Sequence, residues 1–506
     1  MTLACTSFFT HSEEIKTTQT FKQIMSEKKD LLVNSVWYDE VHGYYFSISN
    51  DLKVKTYLET SAGTLEIKEE DPNDQAIDIE EKIIISEQED GVYITNILDS
   101  IDPWVFKKVD YDIKNNLVDE SFFTPENTTL YYQRLLDLYK KELQIYDVHI
   151  GKDIEKSGKS WDDFKIEDNV SDPKGAFLDQ VTNILKTHND CHSLFFSKTR
   201  DQEVIHFGCD FSKSIQHKYA VPYHEIRNSF EKSSLFDLQS NSELQTKINQ
   251  STWSYGTFKT QDKSTQDTIG YMRLTSSPKF ESQQDFDTFL DRQMSFFKKQ
   301  TSGLVIDMRV NYGGSDKNMI ALAERFADWS AHQFSYQINE NSKKYFNYVT
   351  VKPFKNKIFE RAPYQVFESP KEKHYNHPVV VLISNTTMSA ADQFAVAMKK
   401  MAQDVTFVGS RTPSSYSDPT IRLLPNGMLY TVSQQDWIQD GHSLERDENG
   451  EQRGIYPTGV TKADIQTKGF THKNYIPNEK IEDYYKVNSP SLKRAIEVIQ
   501  EKIAQK

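Results

Sequence analysis

Glycine is scarce in this chain, with 19 in 506 residues against an average near ~7%. That excludes a collagen-like or glycine-rich low-complexity protein, and it makes any glycine cluster conspicuous. Cysteine is scarcer still. Cys5, Cys191 and Cys209 are too few, and odd in number, for a disulfide framework. No spacing among them suits a zinc site. No apolar run approaches the ~18–20 residues that a membrane-spanning helix needs. Positive charge is in deficit, 60 basic against 74 acidic residues for a net charge of −14. A phosphate backbone attracts the opposite sign, so the balance argues against general nucleic-acid binding.

What is present is enough for a folded protein. Hydrophobic residues make up 37% and charged residues 26%, with 30 Phe, 26 Tyr and 6 Trp. A chain of this length suggests about two to four folding units and can build its cores without disulfide or metal staples. Near the start, Leu3-Ala-Cys5 followed by Thr6-Ser7 resembles the end of a bacterial lipoprotein signal. The charged and long apolar parts of such a signal are missing. A lipid anchor at Cys5, and a periplasmic, cell-envelope or secreted location, are the expectations it raises, beside an ordinary loose N-terminus and a cytoplasmic location.

The pattern of residues divides the chain. Residues 1–30 are polar and expected to be disordered. Over 31–105 the apolar residues alternate, with strands expected at 43–49, 53–58, 64–67 and 82–86 and a turn at Ser49-Asn-Asp51, giving a small antiparallel β-domain. Residues 120–200 change to helical spacing, as in Leu130, Leu135, Leu138 and Tyr139, then Phe177, Val181, Ile184 and Leu185. This segment ends in Asn189-Asp-Cys-His-Ser193. Residues 201–267 are mixed, read as a linker region without a recognisable PDZ loop. From 268 to 470 apolar strands (269–274, 303–308, 378–383, 404–409) alternate with helices (286–297, 320–329, 390–402). That alternation implies a mostly parallel sheet covered on both faces. Residues 471–506 form a tail that ends in an amphipathic helix over 492–504.

Three loops carry residues suited to chemistry, and in an open α/β sheet ligands lie at the carboxyl ends of strands. Asp307-Met-Arg-Val-Asn-Tyr-Gly-Gly314 follows a buried strand and holds the chain's only Gly-Gly pair. Without Cβ atoms, backbone N–H groups there can turn outward toward a developing oxyanion; a tight strand–helix turn would use the same residues. Thr387-Met-Ser-Ala-Ala-Asp392 places Ser389 at a helix N-terminus, which favours negative charge. The same residues fit a helix cap with an acidic residue in the first turn. In the third loop His192 is a candidate general base, or a structural histidine. Cys191 is a rival nucleophile, but adjacent side chains diverge, which makes His192 a poor activator for it.

Taken in order, these pieces resemble the C-terminal processing (tail-specific) serine peptidases, with the tricorn protease core and the retinoid-binding repeats of the photoreceptor matrix as kin. The matching segments are Asp190-Cys-His-Ser193, Leu304 to Gly314, Ser389-Ala-Ala-Asp392, Val408-Gly-Ser-Arg-Thr412, Leu424-Pro-Asn-Gly427 and Glu451-Gln-Arg-Gly-Ile-Tyr-Pro457. Together they cover roughly 125–196 and 268–465. The stretch Trp37–Ile67 also resembles the small β-domain that precedes this core in some bacterial members. The resemblance implies an α/β core of the ClpP/crotonase-like β-β-α superhelix type, with a helical segment and an N-terminal antiparallel β-domain.

It also implies a serine endopeptidase without a cofactor or metal, acting on unfolded or C-terminal polypeptide segments. Many relatives pair the serine with a lysine in the loop after Val-Gly-x-x-Thr. Here that loop, Pro413-Ser-Ser-Tyr-Ser-Asp418, has none, so the tricorn-like branch is implied. In it Ser389 is the nucleophile, His192 the base and Glu451 the acidic residue, with Glu445 and Glu448 as competitors. The oxyanion donors are the N–H groups of Gly313 or Gly314 and of Ala390, with Asp190 and Cys191 as supporting residues. The family usually has glycine after the threonine, where this chain has Pro413 and Ser414, and Pro-Asp where it has Pro457-Thr458. A weak or inactive member that binds a hydrophobic ligand or peptide is the alternative function.

Overall fold

Alternating apolar residues in the first hundred positions pair into an antiparallel sheet. The computed structural model describes residues 19–20, 33, 35–39, 44–48, 54–60, 63–66, 82–88, 91–97, 104–116, 125–198 except 169, 203–208, 236–238, 253–259, 268–326 except 277–279 and 281, 335–338, 375–439 except 402–403 and 416–417, and 442–505 except 444, 450, 481–482, 485 and 487. Cys5, Cys209, the turn at Ser49–Asp51 and the end of the helix expected to reach Trp329 lie outside the described residues.

The described chain divides into two units. The first comprises Met1–Asp210, Gln337–Arg361 and Asp418–Gln435. Its eight-stranded sheet has the order Gln19–Thr20, Lys82–Gln88, Gly91–Ile97, Trp104–Val109, Val36–Asp39, Tyr44–Ile48, Val54–Thr60, Gly63–Glu66. The helices that follow include α1 (Pro125–Tyr146), α2 (Ile150–Lys156) and α3 (Pro173–His188). On α1 the residues Leu135, Leu136, Tyr139, Leu143 and Tyr146 recur at helical spacing and are buried with Trp37 and Leu58 of the sheet. Leu130, which shares that spacing, is exposed. Helix α3 starts at Asp172, whose carboxylate accepts from the Gly175 N–H, and has Pro173 in its first turn. It ends at Asn189, which takes the left-handed conformation that closes a helix. The chain then enters the hairpin β1 (Leu194–Lys198) and β2 (Glu203–Phe207), and β1 pairs with the strand Leu429–Gln439 through Phe195 and Tyr430.

The second unit comprises Phe211–Tyr336, Ala362–Ser417 and Asp436–Lys506. Its sheet runs β3 (Phe236–Leu238), β4 (Trp253–Lys259), β5 (Thr268–Leu274), β6 (Gly303–Asp307), β7 (Val379–Ile383), β8 (Val405–Gly409). Strands β5 to β8 are parallel, and β3 and β4 extend the sheet antiparallel. Its helices include α4 (Gln283–Gln300), α5 (Asp316–Ala323), α6 (Ala390–Met401) and α7 (Pro490–Ala504). The period of two along the strands sorts the core into two layers. Leu304, Ile306, Val381 and Ile383 pack with α4, α5 and α6, whereas Val305, Val380 and Leu382 pack with Leu492, Ala495 and Ile499 of α7. The architecture is the α/β core expected, with helices on both faces of a mostly parallel sheet. Among the described residues no helix is long and apolar enough to cross a membrane.

Candidate active site

The carboxyl ends of β6 and β7 lie side by side, and their following loops are stitched together. The Ser384 and Thr386 hydroxyls both donate to the Arg309 carbonyl at 2.5 Å, and the Thr387 hydroxyl donates to the Met308 carbonyl at 2.9 Å. The Met388 N–H donates to the Asn311 carbonyl at 2.9 Å. Beneath them Asp307 and Arg309 form a buried two-point ion pair, with Nε to Oδ1 at 2.9 Å and a terminal nitrogen to Oδ2 at 2.6 Å. Burial works to raise the Asp307 carboxyl, but the guanidinium prevails and brings it down to about 2. The sequence presents these two residues only as part of the loop that carries the glycine pair. Their strand-end spacing of two was the available signal for a structural pair.

Ser389 stands at the start of α6 with φ of 53°, the left-handed region. A non-glycine residue there costs about 1–2 kcal/mol. Its backbone N–H donates to the Ser415 carbonyl at 2.7 Å. Its own carbonyl accepts the N–H groups of Asp392 and Gln393 at 2.9 and 3.0 Å. The backbone of Ser389 thus begins the helix and leaves its hydroxyl without a capping task. Gly313 (φ 88°) passes so close that a Cβ there would lie 2.4 Å from the Ser389 Cβ and 2.9 Å from the Ala390 nitrogen, so only glycine fits.

The two glycine amides differ. The Gly313 N–H already donates to the Asn311 side chain at 2.8 Å. Among the described residues no acceptor meets the N–H of Gly314 or of Ala390. The N–H groups of Gly314 and of Ala390, the residue after Ser389, are therefore the candidate oxyanion donors of these two loops.

The loop after β8 closes the other side. Gly454 approaches the Thr412 carbonyl so closely that a Cβ would meet it at 2.4 Å. Thr412 and Ile455 bond in both directions, and the Ser414 hydroxyl donates to the Glu445 carbonyl at 2.7 Å. Ser414 has φ of 64°, a conformation that a glycine would take without cost and a serine does not. Of the three glutamates, Glu445 is fully buried beside this loop, whereas Glu448 is exposed. Glu451 does not join it. Its side chain is 43% exposed and pairs with Lys462 at 3.3 Å, a surface contact of little energetic weight.

His192, Asp190 and Cys191 belong to the first unit. The Asp190 carboxylate accepts the His192 N–H at 2.8 Å and the Ser433 hydroxyl at 2.5 Å, and the Thr431 hydroxyl holds the His192 carbonyl at 2.5 Å. Burial pushes the His192 imidazole below its ordinary value, with Asp190 opposing in part. The ring is therefore neutral near pH 7, as a general base must be. Behind this loop lies fully buried His188, with Asp153 at 2.8 Å, Asp147 at 3.1 Å and Asp190 at 3.5 Å. Burial alone would lower His188, but these carboxylates push it up to about 10. Cys191 is disulfide-bonded, so it offers no thiolate and the rival cysteine nucleophile falls away. One bridge at Cys191 is compatible with a chain whose three cysteines are too few for a disulfide framework.

Residues 268–458 match the model of Peptidase family S41. That span includes Gly313, Gly314, Ser389, Ala390, Glu445 and Glu451, and His192 falls before it. No curated protein matches the chain. Among solved structures it is similar to mature CPAF, at 11% identity over 75% of this chain and 98% of that one, with a TM-score of 0.47. It is similar to the photosystem II D1 C-terminal processing protease at 12% identity, 65% and 92% coverage and a TM-score of 0.31. The tricorn protease gives 12%, 90% and 45%, with a TM-score of 0.35.

Proposed function

We propose that this chain, whose residues 268–458 match the model of Peptidase family S41, is an endopeptidase that cuts unfolded or C-terminal polypeptide segments through an acyl-enzyme on Ser389. The observation that carries this reading is the placement of Ser389. Its hydroxyl is left uncommitted by the cap, Gly313 lies against its Cβ, and the amide of Ala390 follows it with no acceptor among the described residues.

In the proposed cycle His192 takes the Ser389 proton as Oγ attacks the scissile carbonyl carbon. The oxyanion settles against the Gly314 and Ala390 N–H groups, where one such donor is worth about 3–4 kcal/mol in related chemistry. Collapse breaks the C–N bond, and the His192 proton passes to the leaving amine. A water molecule then cleaves the ester by the same steps. Glu445, rather than Glu451, is the acidic residue of the site on this reading, because it is buried at the loop that holds Ser389. The disulfide at Cys191 supports a location in an oxidising compartment, in keeping with the envelope or secreted location raised by the residues around Cys5. The test is cleavage of casein and of a C-terminally labelled unfolded peptide. Turnover by the wild type with none by Ser389→Ala is expected; equal turnover by both rejects the reading.

A further inference from the structure

Asp392, on the first turn of α6, is fully buried, and both of its oxygens accept. Thr412 Oγ1 donates to Oδ1 at 2.7 Å and the Ser414 N–H donates to Oδ2 at 2.8 Å. A carboxyl that accepts through both oxygens is acting as a carboxylate. The loop it grips contains Ser414 at φ 64°, and the next residue, Ser415, gives its carbonyl to the N–H of Ser389, itself at φ 53°. Two serines in a conformation costly for L-residues are thus joined by one chain of bonds, and Asp392 sits at its origin. Such strain persists only where the surroundings over-determine it.

We propose that Asp392 is a positioning residue for the nucleophile: by fixing the loop 412–415 it sets the backbone geometry that aims the Ser389 hydroxyl. The inference rests on the assignment of Ser389 as nucleophile. Asp392 touches no reacting atom and acts through Ser414 and Ser415. The charged side chain that bears on it is Arg411; the other neighbours are the hydroxyl and amides of Thr412, Ser414 and Ser415. Burial prevails over these partners and raises the carboxyl to about 7. The rate should therefore climb through two ionisations, His192 below ~6.5 and Asp392 near 7.

The experiment compares wild type with Asp392→Asn on one fluorogenic peptide across pH. It is accompanied by circular dichroism and by the rate of labelling with a serine-directed phosphonate. Asn presents an N–H₂ group where one acceptor stood. A small displacement of a reacting group costs up to about a hundredfold, so kcat should fall about ten- to a hundredfold, with KM within about threefold. The inflection near pH 7 should vanish while the lower one stays. In Asp392→Asn/Ser414→Gly the glycine adopts its conformation unaided and should recover at least about threefold of the lost kcat. A folded Asp392→Asn enzyme with wild-type kcat, or one whose loss leaves the pH profile unchanged and is not relieved by the glycine, overturns the proposal. Should Asp392→Asn fail to fold, Thr412→Val keeps the volume and removes the donor to Asp392 together with the acceptor of the Ile455 N–H; it must lower kcat at constant KM, and wild-type kcat in it overturns the role equally. Absence of a Ser389 adduct in the wild type would instead remove the nucleophile assignment, and the positioning role with it.

Discussion

Ser389 occupies a backbone conformation that is costly for its type, and its side chain does no capping. A helix-capping serine replaced by alanine loses about 0.5–2 kcal/mol of stability. Here the cap bonds run through the Ser389 backbone, so Ser389→Ala should keep nearly full stability in urea while losing all casein cleavage. His192 gives a second expectation. A base must be neutral, and burial holds this imidazole below its ordinary ~6.5. The rate should fall about tenfold per pH unit below that lowered value and stay flat through it when His192→Gln is assayed. A limb above pH 6.5 that vanishes in His192→Gln would contradict the burial argument. For the acidic residue, Glu445→Gln should cut kcat/KM by at least about a hundredfold and Glu451→Gln by less than about threefold. The reverse order would return the role to the exposed residue.

Elements place these residues, and the sequence reveals the elements unevenly. Strands β5 to β8 are readable because a strand covered on both faces is apolar throughout, as in Val379-Val-Val-Leu-Ile383. β4, Trp253-Ser-Tyr-Gly-Thr-Phe-Lys259, mixes polar residues and a glycine within the strand, so nothing local marks it as part of the core sheet. The glycine pair, Ser389 and His192 are readable because each follows an element end in a recognisable order. The choice among Glu445, Glu448 and Glu451 is not, since all three lie within one turn-rich segment and only burial separates them. Nor can spacing reveal that Asp392 reaches Ser414, a contact made by the fold.

The loop after α3 offers an element-scale test. His188 is raised in the folded state to about 10 from ~6.5 unfolded. Its contribution to stability is complete below pH ~6.5 and is lost as pH rises toward 10. Thermal unfolding of the wild type should therefore weaken across that window, and His188→Gln, less stable at neutral pH, should show a flatter slope there. The loop after β8 has no lysine in Pro413–Asp418, so Lys399→Ala, on α6, and Lys462→Ala, whose amine pairs with Glu451, should each retain activity. A folded but inactive lysine variant would revive a serine–lysine pair.

At the scale of the whole molecule, the net charge of −14 acts on any polypeptide that approaches. Basic unfolded substrates should show a higher kcat/KM than acidic ones at low salt. The gap should close as the screening length shrinks from ~30 Å at 0.01 M to ~8 Å at physiological ionic strength. A salt-independent preference would assign it to contacts in the site instead. The account as a whole stands on one covalent event. The direct measurement is to treat the wild-type protein with a serine-directed phosphonate, follow the loss of peptidase activity, and map the adduct by mass spectrometry. The account predicts one adduct per chain, on Ser389, formed at the rate at which activity disappears and absent from Ser389→Ala. Inactivation with the adduct on any other residue, or equal labelling of the alanine variant, would contradict it.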